Sequence, residues 1–327
     1  MPVDPRWIRS VLLSFLLVSC ASTEEGTEPP PRFVFQSNFW VNLHHFLRAE
    51  VRRAERGAEL GQPLAELRPD EREAWERALE TYRPLARRSL LFDEGMTRIH
   101  AALSASDAEG RSTPELEDAE LGAALEGAAP VFRAHRWTAR ARANDEWIQR
   151  TRPVVERVAR EVTDALAAAH QLTWPSEPIL VDVTPETGPN LAYTTNVAPP
   201  GFAGLATIDP SVAGGSAAAV ECVFHEAAHV LDATLVRWVE EESARQGVAP
   251  PADLWHAILF YTAGALTARA LGEAGTYRED LALGFRAFLP ALVAFWKPYL
   301  DGKLPLASAL QGLVRAAANT GTGGASR

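Results

Sequence analysis

A long stretch without proline sets the main constraint on how this chain can fold. Residues 211–248 contain no proline, and most positions near the centre of this stretch are apolar. Two glycines, Gly214 and Gly215, come before the apolar run, and Ser216 is of a residue type favoured at the N-cap of a helix. We therefore predict a helix that begins after Ser216 and is buried along much of its length.

The five residues 225–229 of this predicted helix read HEAAH. On a helix, His225 and His229 lie one turn apart and point the same way, with Glu226 beside them. Two imidazoles so arranged can bind one zinc ion, and the carboxylate can reach a water on that ion. The alternative is that both histidines are ordinary core residues. The apolar flanks favour the metal, because burying two histidines and a glutamate without partners is costly.

The character of the sequence changes near residue 173. Before it, apolar positions recur with the period of a helix, and after it come short β-rich runs separated by glycine and proline. We predict an α+β, mostly helical fold, with a helical region (33–172) followed by a metal-binding region (173–319). The predicted strands are 179–183, 191–196 and 204–209. The predicted helices are one that begins at Phe35, then 69–82, 91–103, 115–126, one from Ala129, 145–170, one that begins at 251–253, 285–296 and 304–318.

The HEAAH sequence resembles the active-site motif of the zincin metallopeptidases, and the likeness extends over residues 178–272. The resemblance implies that both histidines bind zinc and that the glutamate is the general base. It also implies a small zincin-like sheet whose last strands line the cleft and whose edge strand can pair with an extended peptide. The metzincin pattern has a glycine and a third histidine where this chain has Asp232 and Leu235. The chain is therefore more similar to the gluzincins, whose third ligand comes from a later helix.

The third zinc ligand is not fixed by the motif, because a catalytic zinc commonly takes three protein ligands and one water. His256 lies on the next predicted helix, in an apolar setting where an unpaired imidazole is costly. Glu273 and the acidic group Glu240, Glu241 and Glu242 are the alternatives. We favour His256, although the resemblance to gluzincins implies a glutamate at this position.

Three further residues have candidate roles around a bound zinc. Tyr261 and Tyr193 each carry a hydroxyl that could stabilise the oxyanion formed during peptide hydrolysis, and each could instead be a packing residue. Asp232 follows His229 on nearly the same stripe of the helix, so it could accept a hydrogen bond from a ligand imidazole. The alternative for Asp232 is a surface carboxylate.

The first predicted helix carries three polar residues among aromatic ones, namely Asn42, His44 and His45. They could contribute to the wall of an active site. They could equally be hydrated residues, with one histidine capped in the core. The sequence leaves both interpretations open.

The first 19 residues have the pattern of a bacterial lipoprotein signal peptide. Arg6 and Arg9 precede the apolar run 11–18, which is too short to span a membrane. The run ends in the lipobox-like sequence Leu-Val-Ser-Cys, so we expect cleavage before Cys20 and lipidation of that cysteine. Residues 20–32 then form a polar, proline-rich tether.

The second cysteine of the chain, Cys222, lies on the motif helix. With Cys20 lipidated it has no partner, so we expect no disulfide and an inert, buried thiol. Residues 320–327 are predicted to form a disordered tail.

The formal net charge of −10 argues against nucleic acid as a partner. Together these features predict a zinc-dependent peptidase that acts on a peptide or protein substrate. The lipid anchor places it in the cell envelope, on the outer membrane facing the periplasm. Two other classes stay open: a non-catalytic zinc- or ligand-binding lipoprotein with a degenerate peptidase fold, and a helical scaffold without metal.

Overall fold

The computed structural model describes residues 32–57, 67–188, 191–195, 197–272 and 285–321. These segments form an α+β structure that is mostly helical, as predicted, and contains a four-stranded mixed sheet. The strands are β1 (Phe33–Gln36), β2 (Ile179–Val183), β3 (Ala192–Thr195) and β4 (Gly204–Ile208). The helices are α1 (Phe39–Glu55), α2 (Pro69–Ala86), α3 (Glu94–Ala105), α4 (Ala119–Phe132), α5 (Thr138–Ala169), α6 (Ala217–Ala228), α7 (Asp232–Gln246), α8 (Leu254–Leu271), α9 (Leu289–Ala291), α10 (Lys297–Leu300) and α11 (Leu306–Gly321).

Several predictions fall on residues beyond the described segments. These are the signal peptide, Cys20, most of the tether, Asn196, Glu273 and residues 322–327 of the tail. Within the described segments, no helix combines the length and the apolar character needed to cross a membrane.

The sheet has the order β1-β2-β4-β3, with β3 antiparallel to β4 and the other neighbours parallel. The three strands predicted from the sequence are confirmed. Each strand end that the structure describes lies within one residue of the predicted end. Every residue of β2 and β4 is buried, as expected for central strands that are covered on both faces. The antiparallel strand β3 therefore forms one edge of the sheet.

The predicted helix from Phe35 is wrong at its start, because residues 33–36 form strand β1. This strand pairs in parallel with β2, so that Phe33 lies opposite Ile179. Helix α1 begins later, where the side chain of Asn38 accepts hydrogen bonds from the backbone N–H groups of Trp40 and Val41. A four-residue strand that depends on so distant a partner has no signal in the local apolar period.

Helices α4 and α5 are joined by a single wider turn of π-helix, Arg133–Trp137, rather than by a loop. The chain is therefore helical from Ala119 to Ala169, although separate helices were predicted. Pro130 and Pro153 lie inside this run without ending it. Tertiary packing of the long apolar face outweighs their local effect.

The buried apolar residues form two large clusters. One consists of side chains from α1 to α4 and from Leu67, including Phe39 and Trp75. The other lies between the sheet and helices α5, α6, α8 and α11. Helix α6 packs against α5, α8, β3 and β4, so the HEAAH residues lie between the sheet edge and α8.

Candidate metal centre

The motif helix begins where the sequence predicts, since the Oγ atom of Ser216 accepts a hydrogen bond from the N–H of Ala219 at 3.2 Å. It does not continue without a break. Helix α6 ends at Ala228, a 3₁₀ turn covers His229–Leu231, and α7 then begins at Asp232. His225 therefore lies in the last turn of α6 and His229 in the tighter turn that follows it.

The structure brings three histidines together. Each of these residues, His225, His229 and His256, offers one imidazole nitrogen as a ligand atom. The three nitrogens lie within 4.8 Å of one another. The Nε2 atoms of His225 and His256 are 3.3 Å apart, and the ring centroids of His229 and His256 are 5.1 Å apart. His225 and His229 come from the motif, and His256 comes from the first turn of α8. Three imidazoles at this spacing can bind one metal ion.

The electrostatics of the cluster favour neutral imidazoles, which are the form that binds a metal. Burial, and then the proximity of His229 and His256, hold the pKa of His225 well below its usual range. Burial, and then His229, lower the pKa of His256 to about 4. At neutral pH the lone pairs of these two rings are therefore free for coordination.

Glu226 is buried beside the first histidine, with its Oε1 atom 3.8 Å from the Nε2 atom of His225. Burial raises the pKa of the Glu226 carboxyl. The hydroxyl of Thr194 on strand β3 lies 2.8 Å from the Oε2 atom of Glu226 and 2.8 Å from its backbone oxygen. The sheet edge thus holds this carboxylate directly.

Asp232 lies where the sequence analysis expects it. Its Oδ2 atom is 3.5 Å from the Nδ1 atom of His229. An aspartate on the Nδ1 side favours the tautomer in which Nε2 is free to bind a metal.

Tyr261 is not brought to the histidines. It is buried on α8, five positions after His256 and so about 140° further round the helix. There it lines a small cavity together with Arg269, Lys297 and Asp301. The other candidate donor, Tyr193, is also occupied elsewhere, since its hydroxyl lies 2.9 Å from the Nε2 atom of His45.

The acidic alternatives for the third ligand lie along α7. Glu242 is bonded to Arg245 and Gln246, and Glu241 lies 3.9 Å from Arg237. Among the residues that the structure describes, the three histidines are the one cluster with metal-ligand spacing. Glu273 lies outside that part of the chain.

Aromatic side chains surround the histidines, and the sequence analysis gave none of them a role. Trp255 stacks on His256 with an interplanar angle of 16° and a centroid distance of 5.0 Å. Phe260 lies 4.8 Å from His225, and Phe285 lies 4.9 Å from His256, again between ring centroids. Their sequence signal is weak, because aromatic residues at helical spacing are most often core residues.

Thr194 is the other residue that the sequence analysis missed. Alternation along β3 places its side chain on the face opposite to that of Tyr193, but a strand pattern alone does not say which helix that face meets.

Cys222 is a buried free cysteine, as predicted. Burial, and then Glu226 and Glu221, hold the pKa of its thiol well above the usual range. A thiol in this state is a poor nucleophile and a poor metal ligand.

Comparisons of the chain with protein-family models, with curated proteins and with solved structures found no match.

Proposed function

We propose that this chain is a zinc-dependent peptidase of the zincin type, with His225, His229 and His256 as the metal ligands. The observation that carries the proposal is the convergence of these three imidazoles next to the buried carboxylate of Glu226. Two histidines one turn apart are common, but a third from another helix at ligand distance, with an acid beside them, has few structural uses.

The donor set fits zinc. Three imidazole nitrogens together with a fourth, non-protein ligand form the usual arrangement of a catalytic zinc site. When bound, the ion supplies Lewis acidity and makes a coordinated water more acidic. Asp232, at 3.5 Å from the ring of His229, orients that ligand.

Glu226 acts as the general base in this proposal. Its Oε1 side faces His225, and its Oε2 atom accepts a hydrogen bond from Thr194. The raised pKa of the carboxyl brings its basicity closer to that needed for proton transfer near neutral pH. After accepting a proton from water, Glu226 can pass it to the amine that leaves.

The edge strand β3 supports a peptide as the substrate class. It runs antiparallel to β4 at the end of the sheet, and it contacts α6. An extended chain could add to this edge through backbone hydrogen bonds, which would place its peptide bonds beside the histidines. Trp255, stacked on His256, would then form an aromatic wall of the cleft.

The experiment compares the wild type with Glu226→Gln. Both are purified in the presence of zinc, their metal content is measured by elemental analysis, and both are incubated with a peptide library. We expect both proteins to hold about one zinc per chain, because Glu226 is proposed as base and not as ligand. The wild type cleaves peptides and the variant does not, since the variant lacks the proton acceptor.

Two outcomes would overturn the proposal in different ways. A wild type without zinc after metal-replete purification would remove the metal centre. Stoichiometric zinc without cleavage of any peptide would favour the alternative, a non-catalytic zinc- or ligand-binding lipoprotein.

We also propose that the protein is anchored in the bacterial envelope through lipidated Cys20, on the sequence pattern of residues 17–20. Expressed in a Gram-negative host, the wild type should incorporate labelled palmitate, and Cys20→Ala should not. Equal labelling of the two would rule out this anchor.

A further inference from the structure

A second group of buried polar residues lies away from the metal centre, where α1 meets α2 and β3. We call it the Arg48 cluster and define it by His44, Arg48, Tyr82 and Tyr193. All four residues are at most 5% exposed. The Nδ1 atom of His44 is 3.0 Å from the hydroxyl of Tyr82, and the Nη2 atom of Arg48 donates to the backbone oxygen of Arg88 at 2.7 Å.

The guanidinium of Arg48 has no acidic partner in the described part of the chain. None of the ion pairs found there includes it, and its hydrogen bond goes to a neutral carbonyl. The titratable groups that act on it most strongly are Tyr193 and Tyr82, which are neutral, and Arg52 and Arg88, which are cationic. Burying an unpaired charge is strongly unfavourable, so buried charges in proteins are normally paired.

The histidines around this charge add no further positive charge. Burial holds the pKa values of His44 and His100 well below their usual range, and it lowers that of His45 to about 3. All three rings are therefore neutral at pH 7. Asp182, a buried acid on the sheet, is hydrogen-bonded by Ser104 and Gln36 and lies 3.8 Å from His100.

Two nitrogen atoms of the Arg48 cluster are buried without a hydrogen-bond partner among the described residues, the Nε of Arg48 and the Nε2 of His44. The two residues are one turn apart on α1, so they share a face of the helix. The Nε of arginine is a donor under all ordinary conditions.

The Nε2 of His44 is also a donor. Burial raises the pKa of Tyr82, so the phenol keeps its proton. Among the residues that the structure describes, the Nδ1 atom of His44 accepts that proton. With Nδ1 accepting, a neutral imidazole carries its hydrogen on Nε2. The opposite tautomer would leave the buried phenol proton without an acceptor.

We propose that the Arg48 cluster binds one small monovalent anion, a halide or a small carboxylate such as formate, through the Nε–H of Arg48 and the Nε2–H of His44. The anion neutralises the buried guanidinium and gives both donors an acceptor, and charge-assisted hydrogen bonds of this kind are strong. The site is independent of the metal centre, because Tyr193 and Thr194 point to opposite faces of β3.

The test is thermal unfolding of the mature chain at constant ionic strength, with chloride, bromide or formate replacing methanesulfonate, a bulkier anion. We expect the midpoint of wild-type unfolding to rise by roughly 2–4 °C with at least one of the three small anions. Arg48→Met should abolish the rise. Arg52→Met, which removes an exposed arginine one turn further along α1, should keep it.

No rise in the wild type, or an equal rise in Arg48→Met, would overturn the proposal. An anion bound at the metal centre would give the second result, since it would stabilise both proteins alike. Should Arg48→Met fail to fold, wild-type crystals soaked in bromide decide the question. An anomalous peak within hydrogen-bond distance of the Nε atom of Arg48 supports the site, and only water there overturns it.

Discussion

The hydroxyl of Thr194 lies 2.8 Å from both the Oε2 atom and the backbone oxygen of Glu226. A single hydroxyl proton thus ties the edge strand of the sheet to the side chain and the main chain of the motif helix. The carboxylate of Glu226 is buried, so its orientation depends on this contact and on the neighbouring ring of His225. The proposed base is held by the strand along which the substrate is proposed to bind.

Removing this hydroxyl should weaken catalysis and spare the metal. In Thr194→Val we expect kcat to fall about tenfold, since a hydrogen bond to a charged group is worth about 1.5 kcal/mol or more. Zinc content should not change, because Thr194 does not contact the three histidines in the proposed site. Thr194→Ser should restore the rate. Thr195→Val, which removes a hydroxyl bonded to the carbonyl of Val197 instead, is the matched control.

The third ligand can be tested by metal affinity. Replacing His256 by Ala removes one of three proposed bonds, so zinc affinity should fall by more than about 100-fold. His135→Ala removes an exposed histidine and should leave zinc binding as in the wild type. Competition with a fluorescent zinc chelator measures both. Unchanged affinity in His256→Ala would transfer the role to another residue, with Glu273 the first to examine.

Close packing of α6 on α8 should make Gly264 hard to replace. A Cβ atom at this position would overlap the Oε1 atom of Glu221 and lie 3.1 Å from its Cδ atom. Because Glu221 is itself buried, Gly264→Ala should lower the free energy of unfolding by about 1–3 kcal/mol.

The matched control for Gly264 is Gly127→Ala on α4, where an added Cβ meets no atom within 4 Å. It should be stabilising by about 0.5–1 kcal/mol, because alanine is the better helix former. Urea unfolding measures both variants. Equal stability of the two would mean that Glu221 can move aside without cost.

Stability should fall in acid because of the buried histidines. Burial, and then Arg48, lower the pKa of His45 to about 3 from an unfolded value of 6.5. The unfolded chain therefore binds the proton first, so the contribution of His45 to stability is full above pH 6.5 and is lost as the pH falls towards 3. The loss is about 1.4 kcal/mol per pH unit for each such histidine.

The variant His45→Gln should show a shallower pH dependence of the free energy of unfolding between pH 6.5 and 4 than the wild type. The slopes are compared, and not the absolute values, because the substitution also alters the hydrogen bond to Tyr193. A wild-type slope in His45→Gln would contradict the assignment.

Several features of the molecule were determined by the sequence alone, because they depend on residues a few positions apart. The N-cap at Ser216, the facing pair His225 and His229, and the buried strand 179–183 follow from helix and strand periods and from turn chemistry. Each rule acts within one or two turns of the chain, so each can be applied without knowing the fold.

Other features were decided only by the tertiary structure. The strand at 33–36 exists because β2 pairs with it across more than a hundred intervening residues, and local pattern favoured a helix there. The packing of α8 against α6 brings His256 to the two motif histidines. The packing of β3 against α6 brings the hydroxyl of Thr194 within hydrogen-bond distance of Glu226. Tyr261 had the right chemistry but lies on another face of α8. Distances between side chains on separate elements are set by packing, which no local period in the sequence encodes.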